Sequence, residues 1–202
     1  MSNFRNSSKK ASKVTRRVNS LPLRTRILIV CEGMKTEPNY FRSFRVNARI
    51  EIEPASGNTL SLVRRAEELA EGDTFDQIWC VFDRDSFPPG NFNNAIFAAR
   101  AKGFRVAYTN EAFELWYMLH FNYHTSALSR TQYEPILTRN LGRKYRKNDS
   151  TMYTTLKSMQ QAAITNAEGL ISYYGVKHNP EVDNPSTTVH ELVIELNKFL
   201  IP

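Results

Sequence analysis

Glu32, Asp83 and Asp85 are the residues of this chain best placed to do chemistry. Glu32 directly follows the apolar run Ile27 to Cys31, and Asp83-Arg84-Asp85 directly follows the apolar run Ile78 to Phe82. A short apolar run without alternation predicts a strand buried on both faces, as in a parallel sheet. Open α/β sheets carry their chemistry at the carboxyl ends of such strands. If the two strands are neighbours, the three carboxylates crowd into one crevice. Like charges in a low-dielectric cleft resist ionising together unless a cation joins them. Oxygen ligands of this hardness select Mg²⁺ or Mn²⁺.

The elements that would position these acids follow from the surrounding pattern. Gly33 lets the chain turn away from the first strand. Thr36, Glu37 and Pro38 form a helix start, with Thr36 as the cap and Pro38 in the first turn, ahead of a helix over 39–46. Ile50 and Ile52 alternate with polar residues in a second, edge strand. Thr59 is expected to cap a helix to Ala70, with Leu62, Val63, Ala66 and Leu69 on one stripe. After the Asp83 strand, Pro88, Pro89 and Gly90 impose an irregular loop. A helix over 91–102, a fourth strand over 104–108 and an apolar helical segment from Phe113 to Phe121 complete the pattern. Strands alternating with helices predict a four-stranded parallel sheet of order 2-1-3-4, covered on both faces. Later residues predict a stretch over 130–148 that is helical at first and then becomes a basic segment, and a helix over 150–167. A last helix is capped by the stretch from Asn184 to Thr188. The chain divides into a basic tail (1–24), an α/β core (25–125) and a helical extension packed on it (126–202).

The net charge of +7 is unevenly placed. Residues 1–26 hold eight basic residues and no acid, which leaves 19 basic against 20 acidic residues in the rest. Such a Ser/Asn/Lys/Arg-rich tail forms no core. It either solubilises the chain or holds phosphates. No apolar stretch is long enough to predict a membrane span, and the basic N-terminus lacks the apolar run of a secretory signal. Cys31 and Cys80 fall inside the two buried strands, so they read as small core residues of a cytoplasmic protein rather than a disulfide or a metal pair.

A strand ending in Glu32-Gly33 and a later one ending in Asp83-x-Asp85 resemble the Toprim domain of topoisomerases, primases and nucleases. Further motifs narrow the resemblance: Thr36-Glu37 with Tyr40, Phe113-Glu114-x-Trp116 with His120-Phe121, and Asn184-Pro185-Ser186-Thr187. Their order and spacing resemble the RloB family, which includes AbiLii-like abortive-infection proteins, over roughly residues 26–200. The resemblance implies a Toprim-like fold, a role in bacterial or archaeal defence against phage, and a partner ATPase of AAA or ABC type encoded nearby. It assigns Asp83 and Asp85 to Mg²⁺, Glu32 to metal binding or proton transfer, and includes Glu114 in the site. Where the family pattern reads Asn-Pro-x-Phe-Glu, this chain has Glu111 in place of the proline.

Lys35, Arg143, Lys144, Arg146 and Lys147 are the candidate nucleic-acid contacts. Five cations around Tyr145, from Arg139 to Lys147, form either a solvated helix face or a surface for a phosphate backbone with some base stacking on the tyrosine. His120, on an apolar segment, reads as a packed, hydrogen-bonded histidine. No G-x-x-x-x-G-K-[ST] occurs, so ATP hydrolysis would have to come from a partner. A phosphate-accepting receiver domain fails on placement, because its acids cluster after the first strand. The leading expectation is metal-dependent cleavage of nucleic-acid phosphodiesters. The competing one is a non-catalytic module that binds nucleic acid or nucleotide and regulates an ATPase.

Overall fold

The computed structural model describes residues 24–55, 59–84 and 90–201. The basic tail expected over 1–24 therefore lies almost wholly outside the described residues, and Asp85 lies outside them too. Five strands and eight helices follow in chain order among the described residues: β1 Arg26–Cys31, α1 Thr36–Arg42, β2 Arg49–Pro54, α2 Thr59–Gly72, β3 Gln77–Asp83, α3 Asn91–Ala101, β4 Arg105–Asn110, α4 Glu114–Leu119, α5 Arg130–Leu141, α6 Met152–Leu156, α7 Gln160–Tyr174, β5 Ser186–Thr187 and α8 Val189–Asn197. The sheet order is β2-β1-β3-β4-β5. The first four strands are parallel, and β5 is antiparallel to β4.

The unbroken apolar runs have a direct physical reason. Successive side chains of a strand point to opposite faces, and here both faces are covered. Ile27, Ile29 and Cys31 of β1 and Trp79 and Val81 of β3 enter a core shared with α1, α4, α5, α7 and α8. Leu28, Val30, Cys80 and Phe82 enter the opposite core, shared with α2 and α3. Both cysteines are free and buried, and burial pushes the Cys80 thiol up to about 12. His120 is buried as well. Its Nδ1–H donates to the Trp116 carbonyl at 2.8 Å, and burial lowers it to about 4.

The structure departs from the sequence reading in several places. The helix expected over 39–46 begins earlier, at Thr36, and stops at Arg42. Thr36 makes no capping bond. Its hydroxyl instead donates to the Lys147 carbonyl at 3.1 Å, tying the helix start to a segment 111 residues away. The helix expected over 150–167 is two helices with a 3-10 turn at Lys157–Met159 between them. The C-terminal part is not purely helical. Ser186–Thr187 extends the sheet, and the Thr188 hydroxyl bridges to β4 by accepting from Tyr108 N–H and donating to the Val106 carbonyl. A two-residue strand of Ser and Thr carries no apolar signal, so tertiary contacts alone define it. Among the described residues, no helix is long and apolar enough to cross a membrane.

Candidate functional site

The parallel pairing of β1 with β3 sets Cys31 beside Val81, so the residues that follow them lie side by side at the carboxyl edge. Glu32 N–H continues the ladder by donating to the Val81 carbonyl at 2.9 Å. The Glu32 carboxylate accepts the Asp83 N–H at 3.2 Å. Asp83 in turn accepts the Phe113 N–H at 3.1 Å, which ties the end of β3 to the start of α4. Two strand-end acids and the entry to a third element thus interlock through single backbone bonds.

These acids open into a cavity of about 320 Å³. Its carboxylates are Glu32, Glu37, Asp83 and Glu114, and its cations are Lys35, Arg130 and Lys147. Glu37 and Glu114 are each only 4% exposed. Burial, followed by the charges of Glu37 and Glu114, raises the Asp83 carboxyl well above the carboxylate range. Burial also raises Glu37. The backbone N–H groups of Glu37 and Gly33 act against that rise, and the Glu114 charge adds to it. Two cations offset part of the repulsion. Arg130 Nη2 lies 3.7 Å from Asp83 Oδ2, and Lys147 Nζ lies 3.6 Å from Glu114 Oε1. Tyr145 OH donates to the same Glu114 oxygen at 3.1 Å.

Gly33 explains how Glu37 fits. A Cβ at position 33 would lie 2.0 Å from Glu37 Oε2. Glycine at this position lets the carboxylate come this close to the backbone.

Of the residues singled out from sequence, the structure gathers Glu32, Asp83, Glu114, Lys35 and Lys147 around one cavity. Arg143, Lys144 and Arg146 do not line it. Arg143 is committed elsewhere, to Asp149 at 2.5 Å and to the Thr151 hydroxyl. The base-stacking role considered for Tyr145 does not hold, because its ring is 2% exposed and packs edge-on against Tyr117. The tyrosine among the cations is the residue that anchors them to the core.

Glu37 and Arg130 were not picked out as site residues from sequence. Glu37 carried a signal: a carboxylate four residues after the glycine that ends the first strand. Arg130 carried none, since it opens a helix 47 residues beyond Asp83. The Asn110–Glu111 peptide bond is cis, and Glu111 Oε1 accepts the Arg130 N–H at 3.4 Å.

The donor set suits a hard divalent cation in kind: oxygen atoms whose mutual repulsion leaves Asp83 and Glu37 short of positive charge. Among the described residues, no group of three or more His, Cys, Asp or Glu is arranged to hold a metal ion.

Fold and site together define an α/β protein with a mostly parallel sheet and an acidic crevice at its carboxyl edge. The chain belongs to the RloB-like protein family, which matches residues 27–196. No curated protein and no solved structure matched the chain.

Proposed function

We propose that the crevice cleaves phosphodiester bonds of nucleic acid with the help of Mg²⁺ or Mn²⁺, in a Toprim-like manner, and that it serves defence against phage. The observation that carries this reading is the pairing of Glu32 and Asp83 at the ends of adjacent parallel strands, inside a cavity that also holds Lys35, Arg130 and Lys147. Acids alone would repel a polyanion. Acids ringed by cations give a place for the cation and a place for the phosphate. Membership of the RloB-like family supports the defence role.

In this reading Asp83, Glu32 and Asp85 would hold the ion. The ion would stabilise charge on the attacking and leaving oxygens. Arg130 and Lys147, now paired with Asp83 and Glu114, would turn to the substrate phosphate once a divalent cation takes over their neutralising role. Glu37, whose carboxyl is raised by burial, would deliver a proton from its carboxyl oxygen to the leaving oxygen. Lys144 and Arg146, exposed beside the crevice segment, would extend the phosphate contacts outward.

A second reading is a non-catalytic nucleic-acid or nucleotide module that regulates a partner ATPase. The cations Lys35, Arg130 and Lys147 that line the crevice suit it, since they can hold a phosphate without any cleavage. Incubating the purified full chain with labelled DNA, RNA and tRNA, with Mg²⁺ or Mn²⁺ and with chelator, separates the two. Cleavage that needs the metal supports the first reading, and binding without cleavage under every condition supports the second.

A further inference from the structure

A second, larger cavity of about 560 Å³ lies between α3 and the segment from Lys177 to Glu191, away from the acidic crevice. Its volume falls in the range of small-ligand sites, about 300–1,000 Å³. Two features of its wall could serve a ligand. Arg100 and Lys177 both line it and are exposed; the Arg100 charge acts on the Glu191 carboxyl across the cavity, and Lys177 makes no hydrogen bond or ion pair among the described residues. Asn93 spends its amide N–H on Asn179 Oδ1 at 2.8 Å, while its own Oδ1 is buried without a donor. A buried acceptor left unpaired costs free energy until something donates to it.

The remaining walls are apolar or aromatic. Ile96 and Ile171 line the cavity, and Phe97 lies against it at 66% exposure, which is high for a large apolar ring. Glu191 adds one carboxylate acceptor. The floor is rigid. Tyr108 OH meets His178 Nε2 at 2.5 Å, His178 Nδ1 meets Asp183 Oδ2 at 2.6 Å, and the His178 ring stacks on Tyr174. A rigid floor keeps the cost of ordering a ligand low.

Two exposed cations on one cavity wall suit a phosphate. An exposed ring between apolar walls calls for a flat aromatic body. The orphan amide oxygen calls for an N–H donor, and the carboxylate for a hydroxyl. We propose that this cavity binds a nucleoside monophosphate. The phosphate lies on Arg100 and Lys177, the base lies against Phe97 with an N–H toward Asn93 Oδ1, and the sugar hydroxyls face Glu191. The ligand is either a free nucleotide or the phosphorylated 5′-terminal nucleotide of a strand. The site does not depend on the acidic crevice or on any metal.

The test is calorimetry on the full chain in EDTA, with AMP, adenosine, inorganic phosphate and a 5′-phosphorylated oligonucleotide as probes. AMP should bind more tightly than adenosine or inorganic phosphate alone. The double variant R100Q/K177Q should weaken AMP binding by about tenfold or more, with an unchanged melting temperature. Asn93→Asp, which places a second charge beside the base, should alter base preference, and Asp83→Asn should leave AMP binding unchanged. Tighter binding of the oligonucleotide than of AMP assigns the site to strand ends, and the reverse assigns it to free nucleotide. Failure of AMP to bind, equal binding of AMP to wild type and R100Q/K177Q, or loss of AMP binding in Asp83→Asn overturns the proposal.

Discussion

The Tyr145 hydroxyl donates to Glu114 Oε1 at 3.1 Å, although 31 residues separate the two, and both are buried. This bond docks the basic segment 143–147 onto the crevice and brings the Lys147 ammonium to the same carboxylate. Burial, with the nearby Glu114 charge, raises the Tyr145 phenol, so it stays a donor at any physiological pH. Tyr145→Phe removes the donor and leaves a buried carboxylate oxygen with Lys147 alone. The expected loss is about 1–3 kcal/mol, read as a fall in melting temperature of about 2–4 °C per kcal/mol for a chain of this size.

Glu114→Gln keeps the shape and loses the charge. A first-turn helix acid would cost little when neutralised. A site carboxylate predicts a cleavage loss of about a hundredfold or more, with little change in melting temperature. Single-turnover cleavage and Mn²⁺ titration of this variant decide between the two. Normal values in both would remove Glu114 from the site.

The Asp83 carboxyl is raised by burial and by the Glu37 and Glu114 charges. An acid with a raised folded-state pKa adds stability that is fully present below its unfolded value, about 3.9, and is lost as pH rises through the folded value. Asp83→Asn removes that loss while keeping an oxygen for the Phe113 N–H. Without metal, its melting temperature should therefore match that of the wild type near pH 4 and exceed it increasingly toward pH 8. The difference between the two proteins cancels the opposite contribution of His120, lowered to about 4 by burial, which costs stability as pH falls. Added Mg²⁺ or Mn²⁺ should narrow the gap at high pH by stabilising the wild type alone. Thermal melts across this range check the sign, and a gap that shrinks with rising pH in chelator would contradict it.

Gly33→Ala places a methyl 2.0 Å from Glu37 Oε2. A carboxylate is the far end of a flexible side chain, so the fold accommodates the change by swinging Glu37 aside. The expected outcome is a small change in melting temperature with cleavage reduced about tenfold or more through misplacement of Glu37. Unchanged cleavage would mean that Glu37 takes no part.

Deleting residues 1–24 tests the tail. A phosphate-binding tail predicts weaker nucleic-acid binding and a log–log salt slope reduced by about 0.9 per lost duplex contact. A slope identical to that of the full chain makes the tail a solubiliser.

How much of this was legible in the sequence differs by residue. The runs Ile27 to Cys31 and Ile78 to Phe82 announced doubly covered strands, because a parallel sheet buries both faces and erases alternation. Glu32 and Asp83 were legible for the same reason: each is the first charge after such a run. Glu37 was masked by its position in a helix first turn, where an acid needs no further explanation. Arg130 reaches Asp83 only through the tertiary placement of α5, and nothing local marks it. Tyr145 itself misled, because a tyrosine among cations has the composition of a stacking surface. Its burial depends on Tyr117 and Glu114, both distant in sequence.

In the proposed mechanism the Glu32–Asp83 pair serves metal-dependent phosphodiester cleavage. The most direct measurement is single-turnover cleavage of labelled nucleic acid by wild type and Asp83→Asn, side by side in Mn²⁺. The wild type should cleave only with metal, and Asp83→Asn, which stays folded, should show no cleavage above background. Cleavage by Asp83→Asn at the wild-type rate would contradict it.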